Sequence, residues 1–209
     1  MQPLFCLARL AAVAALCAVV PAMAQQRLAT IPPAAYTDEQ KQAAAEFEAA
    51  RKTPVFGPFE PLLYSPRLMN QARALGDYLR FKPSIGTVLS ELVILITARE
   101  WTQDYEWYVH QPEALKAGLK PELVEAIREG RRPQGMAEDE ETLFEFVTEL
   151  NRTRRVSDKT YERAVKAFSE KGVIDIVGIQ GYYALLAMAL NVSRFELPKD
   201  GQRLPRFPE

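Results

Sequence analysis

Apolar residues recur at helical spacing along most of this chain, and short clusters of proline, glycine and polar residues separate the runs. Thr37-Asp38-Glu39-Gln40 has the spacing of a capping box, which predicts a helix through the alanine-rich segment to about Arg51. Residues 53 to 61 carry Pro54, Gly57, Pro58 and Pro61 and read as a loop. Ser65-Pro66 supplies an N-cap and a first-turn proline for a second helix, running through Leu68, Ala72, Leu75 and Leu79 to about Phe81. Residues 87 to 98 are apolar on nearly every face, a pattern that suits a buried strand or a buried helix. Their length and unbroken passage into Arg99-Glu100-Trp101 favour a central buried helix.

Further helices are expected from Gln103 to Ala117, capped by Gly118 and kinked or broken at Pro112, and from Pro121 to Gly130. The last third predicts helices over Glu138 to Asn151, Ser157 to Lys171 with Gly172 as cap, and Val173 to Asn191. Residues 25 to 36, with Ile31-Pro32-Pro33, read as an extended arm that frays or wraps a neighbouring subunit. Residues 198 to 209 read as an irregular tail along the surface. With no hairpin signal, the fold class is all-α, a helical bundle over residues 37–197.

The first 24 residues have the make-up of a secretory leader. Arg9 precedes the apolar stretch Leu10 to Val20, and Ala22-Met23-Ala24 fits the small-residue cleavage rule, so the exported chain is expected to begin at Gln25. The apolar stretch is too short to span a bilayer, which needs about 20 residues. The reading is export, periplasmic or secreted, without membrane anchoring. Both cysteines, Cys6 and Cys17, fall inside this leader. The exported chain therefore has no thiol for a disulfide, a redox pair or a thiolate metal site, and neither a metal nor another cofactor is expected. With 26 basic against 27 acidic side chains, charge gives no footprint for nucleic acid or anionic lipid.

The single histidine, His110, sits in the densest aromatic and acidic window, Arg99-Glu100-Trp101-Thr102-Gln103-Asp104-Tyr105-Glu106-Trp107-Tyr108-Val109-His110. On a helix Gln103, Glu106 and His110 share one face, and Tyr105 is turned away to flank it. An antiparallel neighbour can bring Glu91 to the same place. Burial in a helix as apolar as Leu92 to Ile96 would raise a carboxyl toward the working range of a general acid or base. Taken alone, Glu91 can equally be held at a helix start by the macrodipole, and His110 can be a core histidine satisfied by Glu106. Trp101, Trp107 and Tyr108 suit packing, and Arg152, Arg154 and Arg155 a surface cluster.

This window resembles the carboxymuconolactone decarboxylase family, which also contains the AhpD-type alkylhydroperoxidases. The matching residues are Glu91, Gln103-Asp104-Tyr105-Glu106-Trp107-Tyr108-Val109-His110 and Ala117-Gly118-Leu119, with Gly181-Tyr182-Tyr183 to Asn191 similar to the family's last helix. In the redox branch a glutamate precedes Cys-x-x-Cys and a histidine. Glu91 and His110 match the first and last, and Gln103 and Glu106 stand where the cysteines would be. The resemblance implies an AhpD-like helical bundle, a trimer or hexamer with its site near a subunit interface, and a small-molecule substrate.

Lacking thiols, the chain cannot follow the redox branch, which leaves acid–base or binding chemistry. The decarboxylase branch implies lyase or isomerase chemistry on an unsaturated lactone or related small carboxylate. His110, Glu91 and Tyr105 would act as catalytic donors and acids, while Arg80, Lys82 or Arg99 would take the substrate carboxylates. Gln103, Glu106 and Trp107 would line the substrate site. The alternative is a non-enzymatic binding or assembly protein on the same scaffold.

Overall fold

The computed structural model describes residues 26–206, so the leader expected over residues 1–24 lies outside it, as do residues 207–209. The described residues are all-α. In chain order the helices are α1 (Asp38–Arg51), α2 (Phe59–Leu62), α3 (Pro66–Phe81), α4 (Thr87–Glu100), α5 (Asp104–Ala117), α6 (Pro121–Arg128), α7 (Glu138–Thr153) and α8 (Asp158–Ser193).

α4 is the hub. Every residue from Leu89 to Arg99 is buried, and α5, α6, α7, α8 and α3 pack around it. The uniform hydrophobicity that left strand and helix open along this stretch reflects a helix covered on all sides. Leu92, Val93, Ile94 and Leu95 are at most 1 % exposed; each contributes about 1.5–3 kcal/mol through burial. α1 packs on α3, and α3 on α8, which closes the second layer.

The starts and stops follow local chemistry. Thr37 Oγ1 accepts from the Gln40 amide at 3.2 Å while Gln40 Oε1 accepts from the Thr37 amide at 3.0 Å, completing the capping box. Gly118, at φ 112°, ends α5 in a conformation that favours glycine. Between α4 and α5 the chain reverses in three residues. Gln103 donates its amide to the Ala98 carbonyl at 2.8 Å, Thr102 donates to Arg99 at 3.0 Å, and Thr102 itself takes φ 45°. This is a Schellman reversal carried by threonine, and it folds α5 back along α4.

Several expectations need correction. The stretch read as a loop contains α2, because Pro58 precedes the first turn and Pro61 lies within it, where an amide has no intrahelical partner to lose. Phe59 drives that turn by packing on Phe47 and Phe56, and Leu62 is buried in the same core. α5 runs through Pro112 without a break; the proline is on the exposed side, where solvent can take up the carbonyl it deprives.

In the last third the helical path is interrupted at Ser169 (φ 62°, ψ 169°), not at Gly172. Gly172 is helical and buried, and a Cβ there would lie 2.6 Å from that of Phe168, so its role is close approach and not capping. The N-terminal arm lies on its own chain: the Arg27 amide donates to Ser193 at 2.7 Å, and the Tyr64 hydroxyl to Ala29 at 2.9 Å.

The C-terminal tail is anchored too. Leu204 is buried and donates its amide to Asp104 at 2.9 Å, and Arg206 forks onto the same carboxylate. α8 is long and apolar enough to cross a membrane by length and hydropathy, yet over half of its most apolar window is buried against the other helices. Its outer side leaves Ile174, Val177, Met188 and Val192 exposed at helical spacing.

Candidate active site

The Thr102 reversal sets α5 antiparallel to α4 and brings the second turn of α4 level with the second turn of α5. Glu91 and His110 meet there: Glu91 Oε2 lies 2.8 Å from His110 Nδ1, and both side chains are about 95 % buried. This contact fixes the orientation of the ring and leaves Nε2 facing away from Glu91. One helical turn before His110, Glu106 Oε2 lies 3.7 Å from Nε2. The imidazole therefore sits between two buried carboxyl groups, a hydrogen-bonded one behind it and a looser one in front.

In front of His110 is a cavity of about 40 Å³ bounded by α3, α5, α8 and the segment before α2. Glu106, His110, Tyr105 and Val109 line it from α5, Arg80 and Gly76 from α3, Tyr182, Tyr183 and Leu186 from α8, and Arg51 from α1. The Tyr183 ring meets the His110 ring edge to face, 5.0 Å between centroids at 87°, and Tyr182 packs on Tyr183 in the same way at 5.2 Å.

Two glycines make room for the tyrosines. A Cβ on Gly57, which has φ 54°, would lie 2.5 Å from the Tyr105 hydroxyl, and one on Gly76 would lie 2.2 Å from that of Tyr182. Tyr105 is held from its other side by Phe195, edge to face at 5.1 Å.

Glu106 is the unusual group. Burial raises its carboxyl to about 7 against the opposing pull of His110 and Arg80, with Glu91 adding to the rise. Its Oε1 is buried and has no hydrogen-bond partner among the described residues, a state that costs about 1–3 kcal/mol unless a ligand or proton satisfies it. Near neutral pH Glu106 therefore exchanges between a proton donor and a carboxylate next to an imidazole base. Burial raises the Tyr105 phenol to about 12 and pushes the Tyr182 and Tyr183 phenols up as well, so all three remain hydrogen-bond donors across the physiological range.

Of the residues singled out from sequence, the fold brings Glu91, Glu106, His110, Tyr105 and Arg80 together. Glu91 does not line the cavity; it stands behind His110, in the second turn of α4 and not at its start. Gln103 faces elsewhere: its Oε1 caps α5 by accepting from the Tyr105 amide at 2.6 Å, and its Nε2 donates to Asn191 at 2.9 Å. Trp107 is a buried core residue outside the cavity. Arg99 lies near Asp104, Arg128 and Arg206 at the other end of α4, and burial lowers its guanidinium. Lys82 is exposed and does not line the cavity.

Tyr182, Tyr183, Arg51 and the two glycines were not expected at the site. Two adjacent tyrosines in the most apolar stretch of the last helix were the available signal. Among the described residues no group of three or more His, Cys, Asp or Glu side chains is placed to hold a metal ion.

No family model matches the sequence, and no curated protein matches it in sequence. Solved structures do match in fold. The alkylhydroperoxidase AhpD core of an uncharacterized peroxidase-related protein from Ralstonia eutropha JMP134 has a TM-score of 0.67 and 16 % identity, over 84 % of this chain and 93 % of that one. A protein of unknown function from Agrobacterium tumefaciens, likened to the antioxidant defence protein AhpD, has a TM-score of 0.58 and 17 % identity, over 65 % of this chain and 93 % of its own. At such identities the shared property is the fold, and this chain is an all-α protein of the AhpD-like fold.

Proposed function

We propose that the protein is an acid–base enzyme, a lyase or isomerase acting on a small unsaturated lactone or related carboxylate, with Glu106 as the proton donor to carbon. The observation that carries this reading is a fully buried carboxyl raised to about 7, 3.7 Å from an imidazole nitrogen, with its second oxygen unpartnered beside a cavity. A buried carboxyl raised to about 7 beside an imidazole nitrogen, both shielded from water, suits proton transfer at neutral pH.

In an isomerisation, His110 Nε2 takes a proton from carbon and the electron pair spreads into the conjugated carbonyl as a dienolate. Glu106 then protonates the far carbon, and the imidazolium returns its proton to Glu106, which closes the cycle. In a decarboxylation the carbon–carboxyl bond supplies the pair instead, and Glu106 draws its replacement proton from solvent. Tyr105 donates to the carbonyl oxygen that gains charge. Glu91 is a positioning residue, because it fixes the ring of His110 without touching the cavity.

Thiol peroxidation has no residue to run on here, since no cysteine follows Cys17. The exposed apolar side of α8 supports assembly into a homo-oligomer, and the leader-like first 24 residues support action after export. The test is turnover of a panel of unsaturated lactones and enones by the wild type, His110→Ala and Glu106→Gln. A bell-shaped pH profile lost in both folded variants is expected; turnover unchanged in either would sink the assignment.

A further inference from the structure

Within that acid–base reading, we infer that the cavity is built for a compact mono-anion, a conjugated monocarboxylate whose carboxylate is taken by Arg80 and the tyrosine hydroxyls. The neutral amide and the dicarboxylate of the same skeleton are rejected.

The cations decide the charge. Arg80 and Arg51 are those that line the cavity. Arg51 is engaged: its Nε lies 2.6 Å from Asp77 Oδ1, and its guanidinium packs at 5.4 Å over both Phe59 and Phe81. Arg80 has no carboxylate within salt-bridge distance among the described residues, and packs at 5.6 Å over the Phe81 ring. A half-buried guanidinium with no carboxylate in salt-bridge contact among the described residues, opening on a cavity, is a site for one carboxylate. A second carboxylate would find no further cation there and would face Glu106, with Glu91 behind His110. Lys82 and Arg99, which a dianion would have needed, are elsewhere.

The donor inventory agrees. Tyr105, Tyr182 and Tyr183 make no hydrogen bond through their hydroxyls to other described residues, and all three line the cavity. Together with Arg80 they present several donors and few acceptors, so the complementary ligand end is rich in oxygen lone pairs. The reacting end then lies against Glu106 and His110 Nε2, the proton-transfer side of the cavity. At about 40 Å³ the space holds about three water-sized groups, which limits the ligand to a carboxylate and a short conjugated chain.

The test is calorimetric binding at pH 6 of three probes that share a four-carbon trans-alkene skeleton: trans-but-2-enoate, trans-but-2-enamide and fumarate. The expected result is at least tenfold tighter binding of but-2-enoate than of the other two. In Arg80→Met that preference disappears through weaker binding of the acid, with amide binding unchanged; in Arg80→Lys it is partly kept. Near-UV circular dichroism checks that both variants keep the native packing.

Equal binding of acid and amide, tighter binding of fumarate, an ineffective Arg80→Met, or no binding of any probe would each overturn the mono-anion site. If neutral lactones turn over in a His110-dependent way while but-2-enoate does not bind, this inference falls and the acid–base reading stands. If the binding pattern appears as expected but no compound turns over in a manner sensitive to His110 or Glu106, the anion site stands and the enzymatic reading falls.

Discussion

Replacing Glu106 by glutamine isolates the energetic consequence of burying an ionisable group beside His110. The unfolded chain ionises this carboxyl near 4.5, whereas the folded protein holds it at about 7. Between those values the folded state binds the proton more tightly, so the Glu106 contribution to stability is fully present below pH 4.5 and is lost as pH rises through 7. At about 1.4 kcal/mol for each pH unit of displacement, the loss comes to about 3 kcal/mol by pH 8.5. Glutamine has the same shape and cannot ionise, so it escapes the loss.

The expected outcome is near-equal stability of the two proteins at pH 5 and a Glu106→Gln protein more stable by about 3 kcal/mol at pH 8.5. On a domain of this size that gap corresponds to a rise of roughly 6–12 °C in Tm. Urea denaturation of both proteins at pH 5, 7 and 8.5 measures it, and taking the difference cancels the titrating groups that do not interact with Glu106. A difference that stays flat with pH, or that favours the wild type more strongly as pH rises, would refute the buried, raised carboxyl and with it the proton-donor role.

Three further perturbations probe the frame of the site. Alanine at Gly57 must adopt φ 54° and drive its Cβ into the Tyr105 hydroxyl, so a loss of about 1–3 kcal/mol is expected in chemical denaturation, together with altered ligand affinity as Tyr105 moves. His110→Ala strands Glu91 in the core without its 2.8 Å partner; a destabilisation of about 3–5 kcal/mol is expected at neutral pH, and the double variant with Glu91→Gln should recover much of it in a double-mutant cycle. Leu204→Ala empties a buried anchor of the tail and should cost about 2–4 kcal/mol, with hydrogen exchange accelerating first around the start of α5, where Asp104 holds the tail.

Much of this fold was legible because the chain announces its helices through caps and periodicity. Thr37 with Gln40, Ser65 with Pro66, and Gly118 each mark an end that the structure places within a residue or two. The buried helix α4 was readable from the absence of any polar face. What escaped was decided by contact and not by local preference. α2 hid among prolines that a first turn tolerates, and the interruption at Ser169 carries no glycine or proline to signal it.

The site divides the same way. Residues on the α4–α5 pair could be placed from helical spacing, so Glu106, His110 and Glu91 were within reach of sequence reasoning. Gln103 shared their face on paper, yet as the N-cap it turns its side chain back onto the Tyr105 amide. Arg80, Tyr182 and Tyr183 approach from helices far away in sequence, and of these only Arg80 could be guessed, from its charge. Gly57 and Gly76 matter through the space they leave, which a sequence does not print.

The Thr102 reversal has a consequence for how such a protein can diversify. It joins the two helices that carry Glu91 and His110 through a tight turn, so the pair is 19 residues apart in sequence and can form as an αα-hairpin before the remote helices dock. Much of the cavity wall, by contrast, arrives with α3 and α8. The Glu91–His110 pair is thus a locally encoded module, and the cavity shape is a long-range property, so substitutions on α3 and α8 can reshape the cavity while the pair continues to assemble unchanged.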